Sequence, residues 1–395
     1  MKKRKIILLV AVIAVLVLTM TGCGEEKMKE YESFLATGNV GATGHVRGIV
    51  ADTAGEYIYS SVTDVIVKQK ADGTVVGTVI DFGGGSERHV GDIAFNPDDG
   101  KQYVSMMTNI QYGNAAADNS QVKNCYMVII DPKDITEVGM MAEDVCSVVY
   151  IGTPIVALAS ERSGNWDLRL GGKYGVKNGI DSCTFGPAFG SKDGKKYLTM
   201  VPAMAAHSQE VDGKTAYDRS DVDYFTILQF DVSDWEKYAK PFNQLDEASG
   251  PETADATYFY YAGFHDYGVQ NLCYDQYKNV YFITTYATDY ATPSRSRFPN
   301  YMFFVVDASY AEEKSLVGNE PETGLVLRSA YGITHESGVC GFGLSASVGI
   351  LSFGDGRYYV ASVAEGGAEL TLYTWSDDMS ECCIVWDIKN TPSRI

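Results

Sequence analysis

From residue 45 onward, apolar positions come in short runs rich in Val, Ile, Tyr and Phe, separated by Gly, Asp and Asn. Such runs, bounded by turn residues, predict strands, and long amphipathic helical stretches are scarce. A two-strand unit recurs. It opens as Ile49-Val50-Ala51-Asp52, turns at Gly55 and returns through Tyr57-Ile58-Tyr59. The same grammar appears as Ile93-Ala94-Phe95-Asn96, Gly100 and Tyr103-Val104, then as Cys183-Thr184-Phe185, Asp193-Gly194 and Tyr197-Leu198. Two more units follow: Leu272-Cys273-Tyr274-Asp275 with a turn at Lys278-Asn279 and Val280-Tyr281-Phe282, and Gly349-Ile350-Leu351 with Asp355-Gly356 and Tyr358-Tyr359-Val360. Each is an apolar strand, a turn that tolerates positive φ, and an aromatic second strand.

Third strands repeat as well. Val128-Ile129-Ile130-Asp131, Leu228-Gln229-Phe230-Asp231 and Val305-Val306-Asp307 each end an apolar run on Asp. Fourth strands are expected at Val75 to Ile80, Tyr258 to Tyr261 and Leu325 to Leu327. Four antiparallel strands repeated radially make a β-propeller. The expected fold is therefore all-β, a propeller of five or six four-stranded blades. The sixth would be a degenerate blade over Val145 to Leu170, where Val148-Val149-Tyr150 and Ile155-Val156-Ala157-Leu158 read as strands.

The N-terminus follows a different pattern. Lys2, Lys3, Arg4 and Lys5 precede the apolar run Ile6 to Leu18, which falls short of the ~20 residues a spanning helix needs. It suits the core of a signal peptide. Met20-Thr21-Gly22-Cys23 resembles the lipobox of bacterial lipoproteins, with Met where Leu is usual. The resemblance implies cleavage before Cys23, acylation (diacylglycerol, palmitate) of that residue, and an extracytoplasmic protein anchored to the bacterial cell membrane. The expected organisation is a signal peptide over 1–22, a lipidated tether over 23–44 and the propeller over 45–395. Loss of the four basic residues would carry the formal charge from −19 to −23. Such a domain repels phosphates, so a nucleic-acid partner is not expected.

Seven cysteines remain after Cys23: Cys125, Cys146, Cys183, Cys273, Cys340, Cys382 and Cys383. An odd number cannot all pair within one chain. Most lie in apolar runs and lack paired CxxC spacing, so buried thiols are expected rather than a zinc site, with room for one disulfide.

The stretch Arg88-His89-Val90-Gly91-Asp92-Ile93-Ala94-Phe95-Asn96-Pro97-Asp98-Asp99-Gly100-Lys101 resembles the innermost strand and first turn of tryptophan-aspartate-repeat propellers, and Gly44-His45 resembles their Gly-His step. In place of their Trp-Asp stand Ile130-Asp131, Phe230-Asp231 and Val306-Asp307, so the resemblance implies the architecture over roughly 45–390 and no partner. Asn178 to Pro187, together with Tyr267 to Asn271, is similar to secreted bacterial propeller proteins of unassigned role.

Innermost strands of a propeller all begin at one face, around the central channel. Aligned by their starts, His45, His89, Asn178 and Tyr267 share a column, followed three residues later by Gly48, Asp92, Asp181 and Gln270. This predicts a polar site at one channel mouth built from His45, His89, Asp92, Asp181, Gln270 and Asn271. Its oxygen ligands suit a divalent cation such as Ca²⁺, added imidazoles would suit Zn²⁺ or Mn²⁺, and the same groups suit a sugar, a peptide or another small molecule. The same His and Asp residues are also the kind that tie propeller loops together. A hydrolase reading, with Asp92 and Asp181 as the catalytic carboxylates of a glycoside hydrolase and Glu336 as a third acid, stands beside the binding reading, as does an envelope scaffold using the rim. Fold alone does not choose among them. Long segments at Thr108 to Asn124, Ala205 to Asp221 and Tyr286 to Pro299 join second to third strands and are expected to wall the pocket, with Tyr112, Tyr286, Tyr290 and Tyr301 offering aromatic faces.

Overall fold

The computed structural model describes residues 46–52, 55–70, 72–83, 88–108, 124–160, 176–204, 223–263, 265, 268–286, 297–317, 322–364 and 367–386, with backbone alone at 160, 176–179, 203–204, 363–364 and 367. The expected signal peptide, Cys23, the tether and His45 lie outside these residues. Among the described residues no helix is long and apolar enough to cross a membrane.

Five antiparallel sheets follow one another along the chain. Blade I runs Val46–Ala51, Tyr57–Val62, Val65–Lys70 and Val75–Ile80. Blade II runs Arg88–Phe95, Gln102–Thr108, Cys125–Ile130 and Cys146–Tyr150. Blade III runs Val176–Pro187, Lys196–Met204, Tyr224–Phe230 and Ala256–Tyr261. Val269–Asp275, Val280–Thr285, Phe303–Asp307 and Ser329–Tyr331 make blade IV, and Ile350–Ser352, Arg357–Ala364, Gly367–Trp375 and Ile384–Trp386 make blade V. The first hairpins turn where the sequence placed them. Gly100 sits at φ 72°, and Asn279, which tolerates the left-handed region better than most residues, takes φ 55° in blade IV.

A sheet with two apolar faces must bury both, and each blade does so against its two neighbours. Tyr59, Val79, Val104 and Val148 pack between blades I and II, and Tyr103, Met127, Leu198 and Phe230 between II and III. Phe225, Tyr258, Tyr281 and Phe304 fill the III–IV interface, and Phe282, Phe303, Tyr358 and Val360 fill IV–V. A fifth cluster, containing Val46, Val67, Leu351 and Leu370, joins blade V back to blade I. The inner strands touch in the same circular order. The molecule is a five-bladed β-propeller.

The alternative of a sixth blade is thereby removed. Cys146–Tyr150 is the fourth strand of blade II, edged by the short strand Lys240–Pro241, and Ile155 to Leu158 lie in a helix, Gly152–Ser160. One fourth strand also lands elsewhere than expected. Thr323–Val326 pairs in parallel with Ala256–Tyr261 of blade III and antiparallel with Glu312–Ser315, while Ser329–Tyr331 completes blade IV. This hairpin covers the exposed edge of the neighbouring blade, a device that blunts edge pairing.

Candidate functional site

Four of the five inner strands carry an irregularity at the same depth. The pairing shifts by one residue between Val46 and Gly48, between Val90 and Ile93, between Ile180 and Ser182, and between Val269 and Asn271. A β-bulge inserts one unpaired residue and re-aims its side chain. Beyond the bulge, Ile49, Ile93, Cys183 and Leu272 each face the core shared with the preceding blade. Counting back from them puts Gly48, Asp92, Ser182 and Asn271 in one layer, and Arg47, Gly91, Asp181 and Gln270 in the next. Asp92 and Asp181, one column in the sequence alignment, thus occupy different layers.

Asp92 is buried at the centre of the ring. One carboxylate oxygen, Oδ2, accepts the backbone N–H of Cys183 in blade III at 3.1 Å and that of Leu272 in blade IV at 3.1 Å. The other, Oδ1, accepts the N–H of Ile93 at 2.9 Å. Blade I meets it through Gly48, where an added Cβ would lie 2.0 Å from Oδ1. Burial pushes the carboxyl well above its ordinary range, opposed by the three N–H donors and reinforced by the nearby Asp181. Oδ2 thus ties blades III and IV to blade II, while Oδ1 is engaged within its own strand.

Asp181 stands one layer closer to the face where the inner strands begin. Its Oδ1 lies 3.8 Å from Nε2 of the buried His89, which is ion-pair range and longer than a hydrogen bond. That same Oδ1 is enclosed yet accepts no hydrogen bond, and so is the Nε of Arg47 in blade I. Among the described residues no carboxylate lies within ion-pair distance of Arg47. Tyr286, at the exit of blade IV, is in electrostatic reach of both. Burial pushes its phenol up, Arg47 pulls it down and Asp181 raises it again. Gln270 is buried beside them in the bulge layer. Asn271, one layer deeper, donates from Nδ2 to the Ser347 carbonyl of blade V at 2.6 Å, and its Oδ1 is enclosed without a partner.

The start face therefore brings together His89, Asp181 and Gln270 of the expected group, adds Arg47 and Tyr286, and sets Asp92 and Asn271 beneath as inter-blade ties. Reading the columns from the strand starts missed Arg47, because the bulge shifts the register by one residue. Counting back from the first core-facing apolar residue of each unit would have found it. The segments after Thr108 and Thr285 do leave from this face, since Thr108 pairs with Arg88 and Thr285 with Val269. Their central residues, with Tyr112 and Tyr290, lie outside the described residues. Tyr301 packs instead against the core between blades III and IV. Glu336 is exposed in the turn after Ile333–Thr334.

The other two histidines among the described residues, His265 and His335, have structural partners. His265 is buried between Phe225 and Phe304, with Nε2 on the Ala262 carbonyl at 3.1 Å and Nδ1 on the Thr285 hydroxyl at 3.4 Å. His335 hydrogen-bonds through Nδ1 to Ser337. Among the described residues no three His, Cys, Asp or Glu side chains gather in an arrangement that would hold a metal ion. The seven cysteines are free thiols, all buried except the half-buried Cys340.

No protein-family model and no curated protein matches the chain. Among solved structures it is similar to the holo form of the pyranose dehydrogenase PQQ domain from Coprinopsis cinerea, at 12% identity over 82% of this chain and 81% of that one, with a TM-score of 0.38. It is also similar to the WD40 repeats of RRP9, at 12% identity over 89% and 84% with a TM-score of 0.34, and to a Bacteroides caccae protein of unknown function, at 9% over 72% and 81% with a TM-score of 0.29.

Proposed function

We propose that this chain is a membrane-tethered, extracytoplasmic propeller that binds a small polar ligand without covalent chemistry at the start face. One observation carries the reading: Arg47 Nε and Asp181 Oδ1 are both enclosed, belong to side chains of opposite charge, and find no hydrogen-bond partner among the described residues. Each such group costs about 1–3 kcal/mol of desolvation, a cost that a ligand offering an acceptor to Arg47 and a donor to Asp181 would offset. Sugars, amino acids and short peptides carry both kinds of group. His89 and Gln270 flank the pair. Hydrolysis through Asp92 gains no support from its geometry, since both its oxygens already accept backbone N–H groups.

The tether rests on the basic stretch Lys2 to Lys5, the apolar run Ile6 to Leu18 and the Met20-Thr21-Gly22-Cys23 sequence. Replacement of Cys23 by Ala should shift the expressed protein from the membrane fraction to the soluble one. Equal membrane retention would refute the anchor.

For the site, a thermal-shift screen of the domain against monosaccharides, uronic acids, amino acids and dipeptides should give at least one hit. Arg47→Ala and Asp181→Asn should each weaken that hit about tenfold or more. A screen with no hit, or a hit indifferent to both changes, would remove this reading.

A further inference from the structure

The opposite end of the axis holds a second concavity. It encloses about 420 Å³ and is lined by residues from all five blades at the ends of the inner strands. That volume lies within the range of small-molecule sites. The wall is mixed, with its apolar part contributed by residues such as Ile49, Phe185, Leu272 and Ile350 and a somewhat larger part polar. Asp92 and the backbone groups it binds lie between this pit and the start face, so a ligand here would be separate from one held by Arg47 and Asp181.

The charged groups at the pit differ in how far they are already used. Asp355 holds Arg357 through both Nε at 3.0 Å and a terminal guanidinium nitrogen at 2.8 Å. Asp52 turns its Oδ1 into its own hairpin, accepting the N–H of Glu56 at 2.8 Å and of Tyr57 at 3.3 Å. Lys196 is different. Its ammonium sits 4.6 Å from the centre of the Tyr274 ring, and no carboxylate among the described residues is within ion-pair range. Burial pushes this amine below its ordinary value, with Asp98 acting more weakly in the opposite sense. Thr184, also on the wall, accepts the Tyr274 N–H at 3.3 Å, and its own O–H makes no hydrogen bond among the described residues.

We infer that this pit is a second binding site, for a small carboxylate with an apolar body. The carboxylate would meet Lys196 and the Thr184 hydroxyl, and its body the ring of Tyr274 and the apolar part of the wall. A single ammonium and one hydroxyl suit a monoanion; phosphate is more often met by a bidentate guanidinium or several N–H donors, and Arg357 is already committed to Asp355.

The test uses hexanoate, hexan-1-ol and inorganic phosphate as probes in calorimetric titrations of the whole domain. Hexanoate should bind saturably, and the alcohol and phosphate about tenfold more weakly or not at all. Lys196→Met should weaken hexanoate about tenfold, a change of ~1.4 kcal/mol. Lys196→Arg should stay within a few-fold of the parent, and Arg47→Ala should leave hexanoate binding unchanged. Equal affinity for hexanoate and the alcohol, equal affinity for phosphate, or a Lys196→Met variant that binds like the parent would overturn the assignment. Loss of hexanoate binding in Arg47→Ala would show that the probe occupies the start face instead.

Discussion

Asp92 and Leu272 lie 180 residues apart in the chain, yet the carboxylate Oδ2 of the first accepts the backbone N–H of the second at 3.1 Å. That bond spans the ring from blade II to blade IV, and the bond to Cys183 adds blade III. Removing the acceptor would leave three N–H groups, of Ile93, Cys183 and Leu272, buried and unpaired. Each costs about 1–3 kcal/mol, so Asp92→Ala should lower unfolding free energy by roughly 3 kcal/mol or more. Denaturant titration at neutral pH would check this, and a loss below about 1 kcal/mol would show that the axial carboxylate is dispensable.

Gly48 is set by the same carboxylate. A Cβ at this position would lie 2.0 Å from Asp92 Oδ1 and 2.8 Å from the Ile93 nitrogen. Backbone atoms on one side leave little room to yield, so Gly48→Ala should cost ~2 kcal/mol or more through overpacking. In a double-mutant cycle with Asp92→Ala the two losses should be less than additive, because the second change removes the atom that the new methyl strikes.

Much of this architecture was legible in the sequence, for a physical reason. A blade is a local unit whose strands pair with their sequence neighbours, so its alternation and turns are written in consecutive residues such as Ile93-Ala94-Phe95 and Gly100. What was less legible depends on pairing between strands. The bulges that separate Asp181 from Asp92 appear only as register shifts. The helix at Gly152–Ser160 reads as a strand because short apolar runs are ambiguous between the two. The parallel addition of Thr323–Val326 to blade III is a contact between blades, invisible in the local pattern.

His265 gives the fold a pH dependence. A backbone carbonyl can only accept, so the bond to Ala262 places the proton on Nε2 and leaves Nδ1 to accept from Thr285. Burial pushes the imidazole down to about 4 from 6.5, with the Ala262 carbonyl acting weakly the other way. The unfolded chain then binds a proton at higher pH than the folded one. Stability is unaffected by this group above about pH 6.5 and falls as pH drops from there to about 4, by on the order of 3 kcal/mol. Equilibrium unfolding between pH 7 and 4 should show this slope, and His265→Gln should flatten it even if the variant is less stable at pH 7.

Arg47 and Asp181 should behave in the opposite way to Asp92. Among the described residues Arg47 Nε and Asp181 Oδ1 make no hydrogen bond, and the His89 contact at 3.8 Å is too long to be one. Deleting these two atoms breaks no hydrogen bond among the described residues and relieves a desolvation penalty. Arg47→Ala and Asp181→Asn should therefore leave the melting temperature unchanged or raise it by a few degrees. Residues kept for a ligand at the expense of the fold show this trade, whereas residues kept for the fold lose stability when replaced. Thermal melts of the two variants beside Asp92→Ala measure the contrast directly. A loss at Arg47 or Asp181 comparable to that at Asp92 would mean that the start-face pair holds blades together, and the ligand reading would lose its support.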